Sequence, residues 1–207
     1  GGSGVGRGKD PVVLVHGVLS HSWCYMDFME KLAAEGYECY APDWLGTGYS
    51  SWPQPGYDFD FTEEAVQKTF GEMLDGMGLG SRKINLVVQG YVFAQYAALY
   101  ALSHPSRIAS LTFLNTPLSP SSPLPFVLQQ YRLPLVAPFV AQDAMRSERF
   151  LEAGGPYVVS VADADRYREP FLESMMPGLA VQDVMKKYDH KGVLRRVEEG
   201  VKKAVGE

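Results

Sequence analysis

Four short stretches hold the groups best able to do chemistry. They are His16-Gly17-Val18, Pro42-Asp43-Trp44-Leu45-Gly46-Thr47-Gly48-Tyr49-Ser50, Gln89-Gly90-Tyr91 and Asn115-Thr116-Pro117. An imidazole, a carboxylate and several hydroxyls are the raw material of nucleophilic hydrolysis, in which one group attacks and another moves the proton. Local context gives most of them a bracing role instead. His16, next to Gly17, reads as ordering its loop by hydrogen bonding. Asp43 fits an Asx-type brace of the Asp-x-x-Gly-x-Gly turn, and Ser50 closes that turn. Tyr91 is the candidate for touching a ligand. His21 and Trp23, just beyond the first loop, are candidates for lining a pocket, together with Asp43 and Trp44. His104 precedes Pro105 at a helix end, where a cation complements the dipole. His190, in the charged stretch Lys186 to Lys191, reads as a solvated surface residue. No cofactor is expected: no spacing resembles a metal site, and Gly46-Thr47-Gly48 lacks the third glycine and the helix of a phosphate cradle.

The segments that must position these groups alternate in kind. Pro11-Val12-Val13-Leu14-Val15-His16 is an uninterrupted apolar run, the pattern of a strand buried on both faces. A helix follows from about Trp23 to Ala34, with Phe28, Met29, Leu32 and Ala33 on one face and Gly36 as its stop. Glu38–Ala41 is a short second strand. Thr62, followed by Glu63 and Glu64, caps a helix with the stripe Val66, Phe70, Met73, Leu74 and Met77. Ile84–Gln89 is a third strand and Leu111–Leu114 a fourth; between them Phe93–Ser103 is a helix apolar on most faces and halted at His104-Pro105. Such alternation predicts a parallel α/β sheet with right-handed crossovers, whose ligands bind at the carboxyl ends of the strands.

The pattern changes after Leu114. Pro117, Pro120, Pro123, Pro125, Pro134 and Pro138 crowd one segment and exclude a long helix. The rest, to Glu207, is helical, with Val193, Val197, Val201 and Val205 at every fourth position. The predicted organisation is a flexible lead-in at 1–10, an α/β core at 11–117, and a proline-rich crossover with a helical cap at 118–207. Within the crossover, residues 124–140 are expected to form the base of the cap over the site. Any part left exposed would be an apolar patch fit for a protein partner or a membrane surface.

Composition sets limits. The 207 residues are 46% hydrophobic and 21% charged, enough apolar content for a real core. Nineteen Lys and Arg against 24 Asp and Glu leave a net charge of −5, so the basic field required for non-specific nucleic-acid binding is absent and no nucleic-acid partner is expected. Cys24 and Cys39 fit free thiols of a reducing compartment better than a disulfide framework. The longest mostly apolar run, Leu86 to Leu102, is interrupted by Gln89, Gly90 and Gln95, and reads as strand, turn and helix, not as a bilayer span. No signal-peptide pattern is read at the glycine-rich start, which suits a lead-in or the cut end of something longer.

His-Gly after a first strand, Asp-x-x-Gly-x-Gly-x-Ser after a second and a sharp strand-to-helix turn after a third together resemble the α/β-hydrolase fold. Ala41-Pro42-Asp43-Trp44-Leu45-Gly46-Thr47-Gly48-Tyr49-Ser50, Leu86-Val87-Val88-Gln89 and Leu114-Asn115-Thr116-Pro117 are similar to its haloalkane dehalogenase and epoxide hydrolase branch. The resemblance implies a partial parallel sheet of four strands with a helical cap. It also places the nucleophile, Asp or Ser in the family, at the position of Gly90, which has no side chain to attack with. Val18 stands where dehalogenases often carry a halide-binding Asn, Tyr91 where a Trp often follows the nucleophile, and Val92 and Phe93 where the family usually has two glycines. Gln89 is expected to brace the turn, and His16, Gly17, Val18, Gln89 and Tyr91 to form what remains of the binding site, with the Val18 and Tyr91 N–H groups as an oxyanion hole. The later acid and His of the family's triad have no counterpart in the chain, and the two strands that precede the His-Gly strand in the family are also missing, which favours an excerpt of a longer protein.

Three functions follow as expectations. The first is a catalytically disabled protein acting as a structural or binding subunit of a larger assembly, with other protein subunits as partners. The second is a hydrolase of the dehalogenase, epoxide hydrolase or esterase type with a non-standard site. The third is a small-ligand carrier. Val-Val-Gln-Gly at the turn most resembles α/β-hydrolase-like proteins of plant and algal plastids, which implies a chloroplast location and association with thylakoid complexes.

Overall fold

The computed structural model describes residues 9–153, 156 and 158–206. Most of the predicted lead-in, residues 1–8, lies outside the described residues.

Four parallel strands, β1 (Val12–Val15), β2 (Cys39–Tyr40), β3 (Ile84–Gln89) and β4 (Ile108–Leu114), form one sheet in the order β2-β1-β3-β4. All four residues of β1 are buried. Their side chains alternate between two apolar clusters: Val13 and Val15 join the main core, Val12 and Leu14 a smaller one on the opposite face. Val15 pairs with Val88, and Val88 with Phe113. The loops after β1, β3 and β4 therefore emerge side by side, and the His-Gly, Gly-Tyr and Asn-Thr corners meet there.

Helix α2 (Glu63–Gly76) starts as its sequence dictates, with the Thr62 hydroxyl accepting from the Ala65 N–H at 3.2 Å. Helix α3 (Phe93–Ser103) is buried nearly all round, which explains why its sequence shows little amphipathic stripe. It lies between the sheet and α9 (His190–Val205). Trp44 is held between Phe70 and Phe93, with ring centroids 5.2 Å away on each side.

Helix α1 departs from expectation. A 3-10 turn occupies Ser22–Tyr25 and the α-helix runs Met26–Ala34. This shifts the buried stripe to Tyr25, Met29 and Leu32, spaced four and three apart, against Val12, Leu14 and Val87. Phe28 is 43% exposed and Ala33 faces solvent. Strand β4 begins three residues earlier than expected, directly after a Pro105–Arg107 turn.

The prolines restrict the crossover to short pieces, α4 (Phe126–Gln129) and α5 (Ala137–Ala141). Leu124, Leu128, Tyr131, Ala137, Val140 and Ala141 are buried, so this segment does serve as a base of packing; Phe126, Leu133, Leu135 and Phe139 point outward. Helices α6 (Arg146–Glu152), α7 (Val161–Glu173) and α8 (Met176–Lys187) follow, with no strand between them among the described residues. In α9, Val193 and Val197 are fully buried, whereas Val205 is 69% exposed. His190 is a correction: it is 8% exposed, not solvated, and its Nε2–H donates to the Ser122 carbonyl at 2.8 Å. The Asp189 cap tucks this first residue of α9 under the crossover.

Candidate functional site

The strand β3 ends at Gln89, and the chain must then reverse into α3 within three residues. Gly90 does so with φ +84°, a conformation in which any Cβ is sterically penalised. A Cβ built there would meet only Gly17, 3.3 Å from its Cα, a tight contact that the loop would have to relieve by a few tenths of an ångström. Gly17 serves the opposite purpose. A Cβ on it would lie 2.7 Å from the Tyr91 nitrogen and 2.8 Å from the Gln89 oxygen; only a glycine lets the His-Gly loop press against this corner.

Above the corner opens a cavity of about 450 Å³ lined by Gly17, Val18, Ser20, Gln89, Gly90 and Tyr91 from the sheet side. Asn115, Pro125, Phe126 and Val127 close another side, and Phe150, Leu151 and Ala153 of the α6 region form the roof. Gly17, Val18, Gln89, Gly90, Tyr91 and Asn115 are strand-end residues marked by the sequence, and Pro125, Phe126 and Val127 fall in the segment it places over the site. It gave no signal for Phe150 and Leu151, because nothing local shows which face of a cap helix turns toward a distant loop. Ser20, two residues beyond Val18, carried only the signal of its place in the first strand-end loop. Its hydroxyl is buried.

His16 does not reach the cavity. It is fully buried; its Nδ1–H donates to the Gly17 carbonyl at 2.8 Å, and its Nε2 accepts from the Trp44 N–H at 3.4 Å. Burial lowers its pKa to about 4, against the opposing pull of the Asp43 carboxylate 3.7 Å away. The imidazole is a neutral strut. Asp43 is the brace its turn called for: one oxygen accepts from the Ser22 N–H at 2.6 Å and the other from the Tyr49 N–H at 2.8 Å.

Of the remaining pocket candidates Trp44, His21 and Asp43 are corrections, whereas Trp23 does line a pocket, apart from the corner cavity. Trp44 is buried in the core, with its indole N–H donating to the His16 carbonyl. His21 is clamped between Tyr49 and Tyr167 and bonded to the Arg166 carbonyl. Asp43 lies beneath the turn. Trp23 lines a separate surface depression with Cys24 and Leu151. An apolar or aromatic residue near a strand end is as well suited to the core as to a pocket, and only tertiary packing separates the two.

The Gln89 side-chain oxygen accepts from the Cys24 thiol at 3.5 Å, a link to the first loop and not to the corner's own backbone. Burial pushes that thiol up to about 12, which keeps it a donor and not a thiolate. Both cysteines are free. Tyr91 is half-buried, edge-on to Phe150, and burial raises its phenol above the ordinary value.

The expected oxyanion hole is corrected as well. The Val18 N–H donates to the Tyr91 carbonyl at 2.9 Å, so one of the two donors is already occupied by the protein itself. The next residue shows how this carbonyl is held in place. Val92, where the resembled family has glycine, has φ +67° and ψ −78°, a costly conformation for a β-branched residue. It turns the Tyr91–Val92 peptide so that the carbonyl faces Val18. Val92 is itself fully buried, and that packing holds the strained turn.

Among the described residues no cluster of His, Cys, Asp or Glu is arranged to hold a metal ion, and no helix is long and apolar enough to cross a membrane.

A four-stranded parallel sheet, a sharp β3–α3 corner, the His-Gly loop beside it and a helical cap above define a fold that comparison identifies. Residues 10–146 match the alpha/beta hydrolase fold family, and the chain belongs to it. Among curated proteins it is 35% identical over 129 residues to a cis-3-alkyl-4-alkyloxetan-2-one decarboxylase of Shewanella oneidensis, covering 59% of this chain and 38% of that one. It is 29% identical over 132 residues to the human mesoderm-specific transcript homolog protein, again covering 38% of the relative and 61% of this chain. The chain thus spans well under half the length of these relatives. Among solved structures, the haloalkane dehalogenase DbeA of Bradyrhizobium elkani superposes with a TM-score of 0.72 at 23% identity, over 94% of this chain and 69% of that one. That likeness is one of fold.

Proposed function

We propose that this chain is a non-catalytic α/β-hydrolase-fold protein that works by binding, as a structural or ligand-holding subunit of a larger assembly. One observation carries the reading: Gly90, at φ +84°, occupies the apex of the corner and faces the cavity with no side chain. No attacking atom stands there, so no covalent intermediate can form at that position. The occupied Val18 N–H supports the same conclusion, because a developing oxyanion would have to displace a carbonyl already bonded to its donor. A hydrolase with a substitute nucleophile would need Ser20 activated by a base. His16, the neighbouring imidazole, is sealed in the core with both nitrogens engaged. The mostly apolar cavity favours a small uncharged ligand, which keeps the carrier role as a second reading. The plastid setting enters this proposal on the resemblance at Val-Val-Gln-Gly alone.

The test is intact-mass spectrometry of the protein after incubation with haloalkane, epoxide and activated-ester probes, with the released products measured in parallel. No adduct and no turnover are expected. A mass increase on the peptide holding residues 84–100 would overturn the reading. Native fractionation tests the assembly: a subunit travels with a large complex, and a protein that always runs alone refutes that part.

A further inference from the structure

Among the described residues, four of the apolar side chains in the proline-rich crossover are exposed. Leu135 is 86% exposed, Phe139 77%, Phe126 69% and Leu133 46%. Phe126 sits on α4 and Phe139 on α5, with Leu133 and Leu135 in the turn between; the buried Leu128, Tyr131 and Val140 tie this segment down from beneath, so the outward residues are held out by a rigid base. Phe126 and Leu133 also line an open groove of about 870 Å³, whose wall includes Arg132, Lys191 and Asp189. Asp189 is engaged as the cap of α9, accepting from the Gly192 N–H. Arg132 hydrogen-bonds to the Met185 and Tyr188 carbonyls. Lys191 and Arg195 stand one turn apart on the same side of α9, both exposed, and neither forms an ion pair among the described residues. In a protein of net charge −5, Arg132 and Lys191 beside the exposed Phe126 and Leu133 of this groove are a local departure.

We infer that this face, Phe126, Leu133, Leu135 and Phe139 with the Arg132, Lys191 and Arg195 rim, docks on an anionic lipid surface. Aromatic and leucine side chains enter the headgroup boundary while the cations meet lipid phosphates, and neither contribution suffices alone. Phe126 belongs to both the groove and the wall of the corner cavity. Docking therefore brings the cavity next to the bilayer, a source of the apolar ligands it would accept. The docking itself stands independently of whether the chain catalyses.

Co-sedimentation with vesicles tests this, using phosphatidylglycerol and phosphatidylcholine in equal parts against phosphatidylcholine alone. Binding to the anionic vesicles only is expected, falling as salt rises. The Leu135→Ser, Phe139→Ser double variant is expected to lose roughly tenfold or more of that binding, and Lys191→Glu with Arg195→Glu a similar factor. These side chains are exposed, and circular dichroism of each variant checks that the fold is kept. Absence of binding, equal binding to neutral vesicles, or full retention by either double variant overturns the inference. So does a dimer in light scattering that the Leu135→Ser, Phe139→Ser change dissolves, since the patch would then be an interface between copies of the chain.

Discussion

Gly90 answers the backbone demand of the corner. The corner requires positive φ, which glycine adopts without a steric cost, and a Cβ above it would press on the Gly17 backbone at 3.3 Å. Gly90→Asp is therefore expected to fold and to lose about 1 kcal/mol or more, a fall in Tm of roughly 2–4 °C for a chain of this size. An unchanged or raised Tm in thermal unfolding would contradict the assignment of this corner. Gly90 and Asp43 were legible because their roles follow from local backbone demands. Neither the use of the Val18 N–H nor the burial of His21 and Trp44 was legible, because each depends on partners brought in by the fold, Tyr91 for Val18, Tyr49 and Tyr167 for His21.

The elements divide in the same way. Helices α2 and α3 and strand β3 could be read almost residue by residue, since Thr62, His104-Pro105 and an apolar run with a glycine after it are boundaries written into the chain. Helix α1 was misread in phase, because the 3-10 turn before it leaves no signature of its own. The contact between α5 and α8 was not legible at all. A Cβ at Gly178 would lie 1.7 Å from the Ala141 carbonyl oxygen and 2.7 Å from its carbon, so the two helices meet backbone to side. Gly178→Ala must push them apart, and overpacking of this kind costs about 1–3 kcal/mol or more. Urea unfolding should show the midpoint moving down. An unchanged midpoint would mean that α5 yields freely, which its buried Ala137, Val140 and Ala141 argue against.

At the scale of the whole molecule, His16 couples stability to pH. Burial holds its pKa near 4 in the folded chain, against 6.5 when exposed. Between those values the unfolded chain takes up a proton that the folded one excludes. This group's contribution is complete above about pH 6.5 and is lost progressively as pH falls toward 4, by about 3 kcal/mol in all. Burial lowers the pKa of His21 too, so it acts in the same direction. Urea unfolding followed from neutral pH to about pH 5 should show the decline, and His16→Gln should flatten it. An equally steep slope in the variant would remove His16 as its source.

The inward-facing carbonyl of Tyr91 has one more consequence. On the proposed non-catalytic reading, a chain given an acid or hydroxyl at residue 90 would find a lone pair next to Val18 where its reaction needs a donor. A change at 92 that let the peptide rotate back would, by itself, accelerate nothing. Neither step is rewarded without the other, so installing turnover at this corner takes two changes at once.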